Sequence, residues 1–281
     1  MTQRLQRAQG RLALGFAAPV AAGGPSRLAD LFQHDPCRAL LPAPDPGEPT
    51  TAILITTSGG LTGGDRLDLA VTAGAGSDVL CTPQAAEKIY RAETDEAAAI
   101  DLRLTVGNAA RLEWLPQEMI LFDGARLRRR IRIDLNGADA RLLAGDITVF
   151  GRIARGERFG HGLLADRWEL RRDGHLLWAD ALRLDGEIAA RLAHPAGFAG
   201  AVAQGVILSV APDPAVLRDR LRAMMTEEAM TGAGATVIGD LLLVRLLDGD
   251  AARLRRHFGR LWALLRAGLG RPDRMPRLWH L

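Results

Sequence analysis

Apolar residues recur at every second position over long stretches of this chain. Leu67, Leu69 and Val71 alternate with polar neighbours, as do Ile100, Leu102, Leu104 and Val106, then Leu112 and Trp114, then Ile131, Ile133 and Leu135. Successive side chains of a strand point to opposite faces, so each set predicts a half-buried strand. Thr51 to Thr57 (TAILITT) is a continuous apolar run and predicts a strand buried on both faces. Asp-Gly pairs at 123–124, 173–174 and 185–186, with Gly107-Asn108 and Asn136-Gly137, punctuate these runs. Such pairs supply the positive φ of tight hairpins and predict antiparallel pairing. Five prolines within 36–50 (PCRALLPAPDPGEPT) predict an irregular connection there.

After residue 211 the period changes. Asp213 is placed to cap a helix, Pro214 suits its first position, and Leu217, Leu221, Met224 and Met225 share one face. Ala235 to Leu247 reads as a strand, and a second helix follows with Leu254, Phe258, Leu261, Trp262 and Leu265 as its apolar stripe. The predicted fold is mainly β: layered antiparallel or mixed sheets of many short strands, with a small C-terminal helical portion of two helices. One domain over residues 1–281 is expected, β-rich over 1–211, with a helix–strand–helix unit over 212–270 packed on it and a tail over 271–281.

With 281 residues, 48% of them hydrophobic, the chain is long enough to bury a sizeable core. Its formal charge of +3 permits nucleic-acid binding without indicating it. Cys37 and Cys81 have neither CxxC spacing nor the number needed for a disulfide framework, which points to a reducing, cytoplasmic setting. Arg4, Arg7 and Arg11 before the apolar stretch Leu12 to Ala22 imitate the start of a signal peptide. Gly15 and Pro19 interrupt the run, however, and no clean small-x-small site follows. No later segment reaches the roughly 18 uninterrupted apolar residues of a membrane span.

The segment Ser58 to Arg66 (SGGLTGGDR) invites comparison with a phosphate loop. It lacks GK[ST], does not match GxGxxG, and leads into a strand rather than a helix. Two readings stay open: a tight turn with close backbone packing, and a functional carboxylate at Asp65. The four serines (Ser26, Ser58, Ser77, Ser209) include none in GxSxG, which argues against a hydrolase of that type. The histidines are scattered and form no tight metal motif. In RLRRRIR, strand alternation puts Arg126, Arg128, Arg130 and Arg132 on one face, opposite Leu127, Arg129 and Ile131. That stripe reads as a solvated or protein-binding face, because no aromatic stacking platform is interleaved with it.

Five segments together resemble one family: SGGLTGGDRL (58–67), TPQAAEKIYR (82–91), LEWLPQEMILFDGARLRRR (112–130), FGRIARGERF (150–159) and PRLWHL (276–281). All resemble urease accessory protein UreD, called UreH in some bacteria, and they occur in that family's order. Upstream, GRLALGF and SRLADLFQHDPCRALLP look like the family's opening strands, so the resemblance turns the apparent signal peptide into a first strand.

The resemblance implies a β-rich scaffold without catalytic turnover or a stably bound cofactor. The implied partners are UreF, the GTPase UreG and the apo-urease subunits, in an assembly of the UreD2F2G2 type, with no nucleic acid or membrane involved. It further implies nickel in transit. A conduit should avoid thiolate and imidazole clusters, which bind Ni²⁺ tightly, and use isolated carboxylates, because transit needs sites weak enough to leave. Asp65, Glu118, Asp123, Glu157 and Asp180 are the candidates for lining such a route; at Asp180 the family often has Glu. For each the bland reading is a carboxylate that satisfies turn amides or pairs with arginine. Gly63, Gly64, Arg66, Gln84, Lys88, Tyr90 and Arg91 are motif residues of unassigned role, and Lys88 is the chain's sole lysine. The alternatives from other classes are a basic nucleic-acid-binding β-protein and an unrecognised hydrolase.

Overall fold

The structure is a computed structural model that describes residues 7–21 and 23–280. Arg4, Ala22 and Leu281, and with them the ends of the 1–281 span, lie outside the described residues. In chain order the strands are β1 (Gln9–Ala17), β2 (Arg27–His34), β3 (Cys37–Leu40), β4 (Thr50–Thr56), β5 (Arg66–Ala73), β6 (Asp78–Pro83), β7 (Glu87–Ile89), β8 (Ala98–Val106) and β9 (Arg111–Trp114). There follow β10 (Glu118–Leu121), β11 (Arg126–Leu135), β12 (Arg141–Phe150), β13 (Leu163–Arg172), β14 (His175–Asp185), a short helix α1 (Ile188–Ala193) and β15 (Ala203–Val210). Helix α2 (Pro214–Glu227), β16 (Ala233–Ile238), β17 (Leu241–Asp248) and helix α3 (Ala251–Arg266) complete the regular elements.

The strands form two layered mixed sheets. The first has the order β14-β13-β11-β8-β5-β1-β2, and the second β16-β17-β15-β12-β9-β6-β4-β3, with β10 and β7 added beside β12. From β4 to β13 the chain crosses repeatedly from one sheet to the other. Strands that neighbour each other within a sheet therefore enter from the same end and run parallel: β5·β8, β8·β11 and β11·β13 on one side, β4·β6, β6·β9 and β9·β12 on the other. This corrects the antiparallel expectation, which holds only at the flanks, for instance β13·β14, β12·β15 and β16·β17. Of the five Gly-containing dipeptides only Asp173-Gly174 closes a hairpin, between β13 and β14. Gly107-Asn108 and Asn136-Gly137 carry the chain from one layer to the other. A turn dipeptide fixes the local reversal, but the partner strand is chosen by the hydrophobic face that has to be filled.

Inward side chains of both sheets interdigitate in one core, with Leu67, Leu102, Leu104 and Ile131 facing Leu54, Leu112, Leu142 and Leu208. The opposite face of the second sheet is also covered. There Leu143, Ile147, Ile207 and Val244 pack against Leu217, Leu221, Phe258 and Trp262 of α2 and α3. Gly145 makes that approach feasible, since a Cβ there would lie 2.8 Å from the Trp262 ring. Each fully buried Leu or Phe removes enough apolar surface to contribute at most about 1.5–3 kcal/mol.

Several local expectations need correction. Residues 37–40 form β3 inside the proline-rich stretch, leaving 41–49 irregular. β4 buries Ala52 and Leu54 but only half-buries Ile53 and Ile55, because its outer face lies near the sheet edge. The Ala235–Leu247 segment is a hairpin, β16 and β17, rather than one strand. Asp213 has a left-handed backbone (φ 53°) and its side chain makes no cap, whereas Asp250 caps α3 through the amides of Ala252 and Arg253. The tail carrying PRLWHL forms a 3-10 turn at Arg277–His280, with Trp279 buried and stacked on Phe258.

One buried ion cluster crosses the layers. Arg129 of β11 donates to Asp166 of β13 at 2.9 and 2.7 Å and to Asp146 of β12, in the opposite sheet, at 2.6 and 2.8 Å. Arg129→Met strands two buried carboxylates, so unfolding free energy is expected to fall by about 3–5 kcal/mol. Urea denaturation checks this. A loss below about 1 kcal/mol would place the pair in effectively bulk-like solvent.

Candidate functional site

Four of the five motif segments meet at one end of the layered sheets. The Gly-rich turn before β5 zips onto the strand carrying Lys88 and Tyr90: Leu61 donates to the Lys88 carbonyl at 2.8 Å and Tyr90 to the Leu61 carbonyl at 2.7 Å. The Thr62 hydroxyl donates to the Arg91 carbonyl at 2.9 Å, and the Tyr90 hydroxyl to the Gly59 carbonyl at the same distance. The glycines are dictated by this closeness. A Cβ at Gly63 would lie 2.5 Å from the Glu96 carbonyl oxygen, and Gly64 has φ +89°.

Asp65 is buried and both its oxygens are engaged. Oδ1 accepts from the Ala8 amide and Oδ2 from the Thr62 amide, each at 2.8 Å. The carboxylate thus ties the glycine turn to the entry of β1, which is the amide-satisfying reading. Arg66, next in the chain, points outward on the first sheet.

Asp123 and Glu157 are brought together. Glu157 Oε1 accepts from the Asp123 amide at 3.1 Å. Asp123 Oδ1 accepts from the amides of Gly160 and His161, both at 3.0 Å, while Oδ2 takes the Arg91 guanidinium at 3.0 Å. Arg152 bonds Glu157 through two nitrogens and lies 4.4 Å from the centre of the Phe122 ring. Phe122 in turn meets Tyr90 edge-on at 4.9 Å. The Arg152 hydrogen bond is the main cause of a Glu157 carboxyl held below its ordinary range. The result is a half-buried pair of carboxylates flanked on each side by an arginine, Arg91–Asp123 beside Glu157–Arg152.

The remaining candidates lie elsewhere. Glu118 pairs with Arg255 of α3 at 2.6 Å, and Arg255 also donates to the Trp279 carbonyl at 2.6 Å. Asp180 pairs with Arg245 at 2.7 Å and so joins β14 to β17. Gln84 and Lys88 are exposed and enter the architecture through their backbones, Gln84 by donating to the Leu54 carbonyl at 2.8 Å. The five carboxylates therefore do not line one file.

Between the sheets lies a cavity of about 100 Å³, lined by apolar residues such as Leu12, Leu102 and Ile131 together with Glu87, Gln117, Asp146 and Arg129. Its size admits several waters. None of the five candidate carboxylates lines it. Glu87 does, and burial pushes its carboxyl up from 4.5 to about 7 against the opposing effects of the Thr56 hydroxyl and Lys88. Sequence reading missed Glu87, although a signal was present: alternation through EKIY, with Ile89 inward, turns Glu87 inward too. Among the described residues no group of three or more His, Cys, Asp or Glu side chains is placed to hold a metal ion. No described helix is long and apolar enough to cross a membrane.

Comparison with known proteins places these features in a family context. A model of the UreD urease accessory protein family matches residues 8–280. A urease accessory protein UreD of Magnetococcus marinus is 45% identical over 280 residues, covering 98% of this chain and 95% of the relative. The UreD of Methylobacterium sp. is 42% identical over 99% of this chain and 96% of its own length. That of Agrobacterium fabrum is 40% identical over 99% and 93%.

Two outcomes are expected from this geometry. Asp65→Ala removes the acceptor of two amides and should lower unfolding free energy by about 2–4 kcal/mol, read by urea denaturation; an unchanged midpoint would show that water replaces the carboxylate without loss. Glu87, with a folded value raised above 4.5 to about 7, stabilises the fold fully below pH 4.5, and that contribution is lost as pH rises through 7. The ceiling on the effect is about 3 kcal/mol. Thermal melts from pH 5 to 8 should show a falling midpoint in the parent that Glu87→Gln flattens, and parallel profiles would refute the assignment.

Proposed function

Since the chain belongs to the UreD urease accessory protein family, and so to urease maturation, we propose that it is a scaffold on which apo-urease receives nickel, in complex with UreF and the GTPase UreG. The observation that carries this reading is the match over residues 8–280, together with the packing of four motif segments into one end of the fold. The protein acts by binding rather than by turnover. GTP hydrolysis falls to the partner, and the assembly holds two copies of each accessory protein. Buried, unpaired Cys37 and Cys81 support a cytoplasmic setting.

Nickel enters this scheme as cargo. Asp123 and Glu157 are the pair best placed to touch it, because they alone among the five candidates lie side by side. Each is already held by an arginine, so a cation has to compete with a guanidinium and is released when the guanidinium returns. Asp65, held by the amides of Ala8 and Thr62, acts on the route only by shaping the turn.

The test is the nickel content of urease purified from cells expressing the urease subunits and the other accessory proteins, with and without this chain. Nickel-poor urease restored by the chain is the expected result; full loading in its absence would refute the maturation role. Asp123→Asn/Glu157→Gln should at least halve the nickel content while the accessory complex still co-purifies, an effect of about 0.4 kcal/mol or more on delivery. Normal loading, or loss of assembly instead, would remove the pair from the route.

A further inference from the structure

The outer face of the first sheet carries charge that the maturation role leaves unassigned. Reading one registered row across five adjacent strands gives Arg66 on β5, Ala99 on β8, Arg128 on β11, Ala165 on β13 and Arg183 on β14. Arginine and alanine alternate in a line perpendicular to the strands. Strands lie roughly 4.8 Å apart, so these arginines rise about 10 Å apart with an alanine hollow between each pair. The next row reads Asp68, Asp101, Arg130, Arg167 and Ala181, which sets Arg130 directly beside Arg167. The two rows enclose a concavity of about 430 Å³.

Charge in this concavity is unbalanced. Most arginines of the chain have a carboxylate, and Asp101 is already shared by Arg132 at 2.6 Å and Arg103 at 3.4 Å, while Arg183 holds Asp185 at 2.5 Å. Arg66, Arg128, Arg130 and Arg167 are exposed, and among the described residues none of the four has a carboxylate within ion-pair distance. Asp68 and Asp101 share the concavity, but the four guanidinium groups outnumber them and together attract an anion. Their planar forks suit carboxylates in bidentate geometry.

The floor decides which anion. The outward positions of these five strands include no Phe, Tyr or Trp, since Trp168 and Trp178 both face the core. Single-stranded nucleic acid relies on aromatic platforms for stacking, and this face offers none. Alanine hollows beside Arg66, Arg128 and Arg167 instead leave room for the methylene stems of acidic side chains. We propose that this face binds an acidic segment of a partner protein, whose carboxylates engage Arg66, Arg128, Arg130 and Arg167 over the floor of Ala99, Ala165 and Ala181. Arg66 ends the Gly-rich motif, so the surface is continuous with the end of the fold where the motifs meet.

The test is fluorescence anisotropy of a labelled oligoglutamate peptide titrated with the full chain. Binding should weaken as salt is raised, because the contacts are exposed charges. Arg128→Ala/Arg130→Ala/Arg167→Ala should weaken it by at least about tenfold, as expected for several lost charge-assisted contacts. A control with the same change of net charge, Arg38→Ala/Arg218→Ala/Arg253→Ala, removes arginines that already have carboxylate partners and should shift affinity by less than about twofold. Circular dichroism melts verify that both variants fold. Absence of binding by the parent overturns the proposal, as does equal weakening in both variants. Tighter binding of an oligothymidylate of equal charge, lost in the first variant, assigns the face to nucleic acid and overturns it too. Urease loading plays no part in this measurement, so its outcome is independent of the maturation role.

Discussion

A guanidinium enclosed between two sheets has to be neutralised where it stands, and Arg129 imposes that condition on the whole sandwich. Every other inward residue of β11 is apolar: Leu127, Ile131, Ile133 and Leu135. Burial alone would push the Arg129 guanidinium down, but Asp146 and Asp166 outweigh it and hold the charge well above its ordinary value. Asp166 comes from the adjacent strand, and Trp168 Nε1 donates to it at 3.3 Å. Asp146 comes from the opposite layer, and the Thr148 hydroxyl donates to it at 2.9 Å. Salt bridges formed across a core gain little net energy over a well-packed apolar alternative, but they tolerate little displacement. The triad therefore fixes the separation and relative register of the two sheets at one point, and the internal cavity opens beside it.

A second buried charge does the same for the C-terminal part. Glu113 of β9 is fully enclosed and accepts from Trp262 Nε1 at 2.8 Å and from Arg266 Nε at 2.9 Å, both on α3, and from Arg271 just beyond it. Arg266 continues to Glu48 in the proline-rich connection and Arg271 to Asp78. Helix, tail and loop are thus clamped on the second sheet by one carboxylate that water cannot reach. With α3 fixed, Arg255 stands where it can hold both Glu118 and the Trp279 carbonyl, stacking on the Trp279 ring at 3.9 Å. The position of Glu118 thus follows from the tail rather than from the motif end, though its own motif runs on to Asp123.

Legibility in the sequence followed the range of the interaction that decided each feature. Period-two runs located β5, β8, β9 and β11, and the change of period located α2 and α3, because alternation and amphipathicity are local. Strand direction was not legible, since Gly107-Asn108 and Asn136-Gly137 announce a reversal without saying whether the chain returns to its own sheet or crosses to the other. Asp213 had the right residue type for a cap and the wrong backbone, whereas Asp250 was passed over. At the candidate site, motif membership brought Asp65, Tyr90, Arg91, Asp123 and Glu157 to one region, but only the tertiary fold separates Asp65, which serves two amides, from the arginine-held pair. Arg129 was visibly inward; that Asp146 and Asp166 would meet it depends on a register no single strand encodes.

The proposed handling of nickel gains support from what the fold does with its stronger ligands. Thiolates and clustered imidazoles would hold Ni²⁺ near the top of the divalent affinity series. Here burial pushes the Cys37 thiol up to about 11 and the Cys81 thiol up to about 12, so neither supplies a thiolate at neutral pH. Asp123 and Glu157 each carry an arginine, and in the proposed scheme a guanidinium returning to its carboxylate favours release. A protein that passes a metal on has to make every contact reversible, and under the proposal the adjacent Asp123 and Glu157, each flanked by its own arginine, supply that reversibility. The same residue, unpaired on the outer face of the first sheet, does the opposite and presents open charge. Which task an arginine performs is therefore set by whether the fold leaves a carboxylate within reach of its guanidinium.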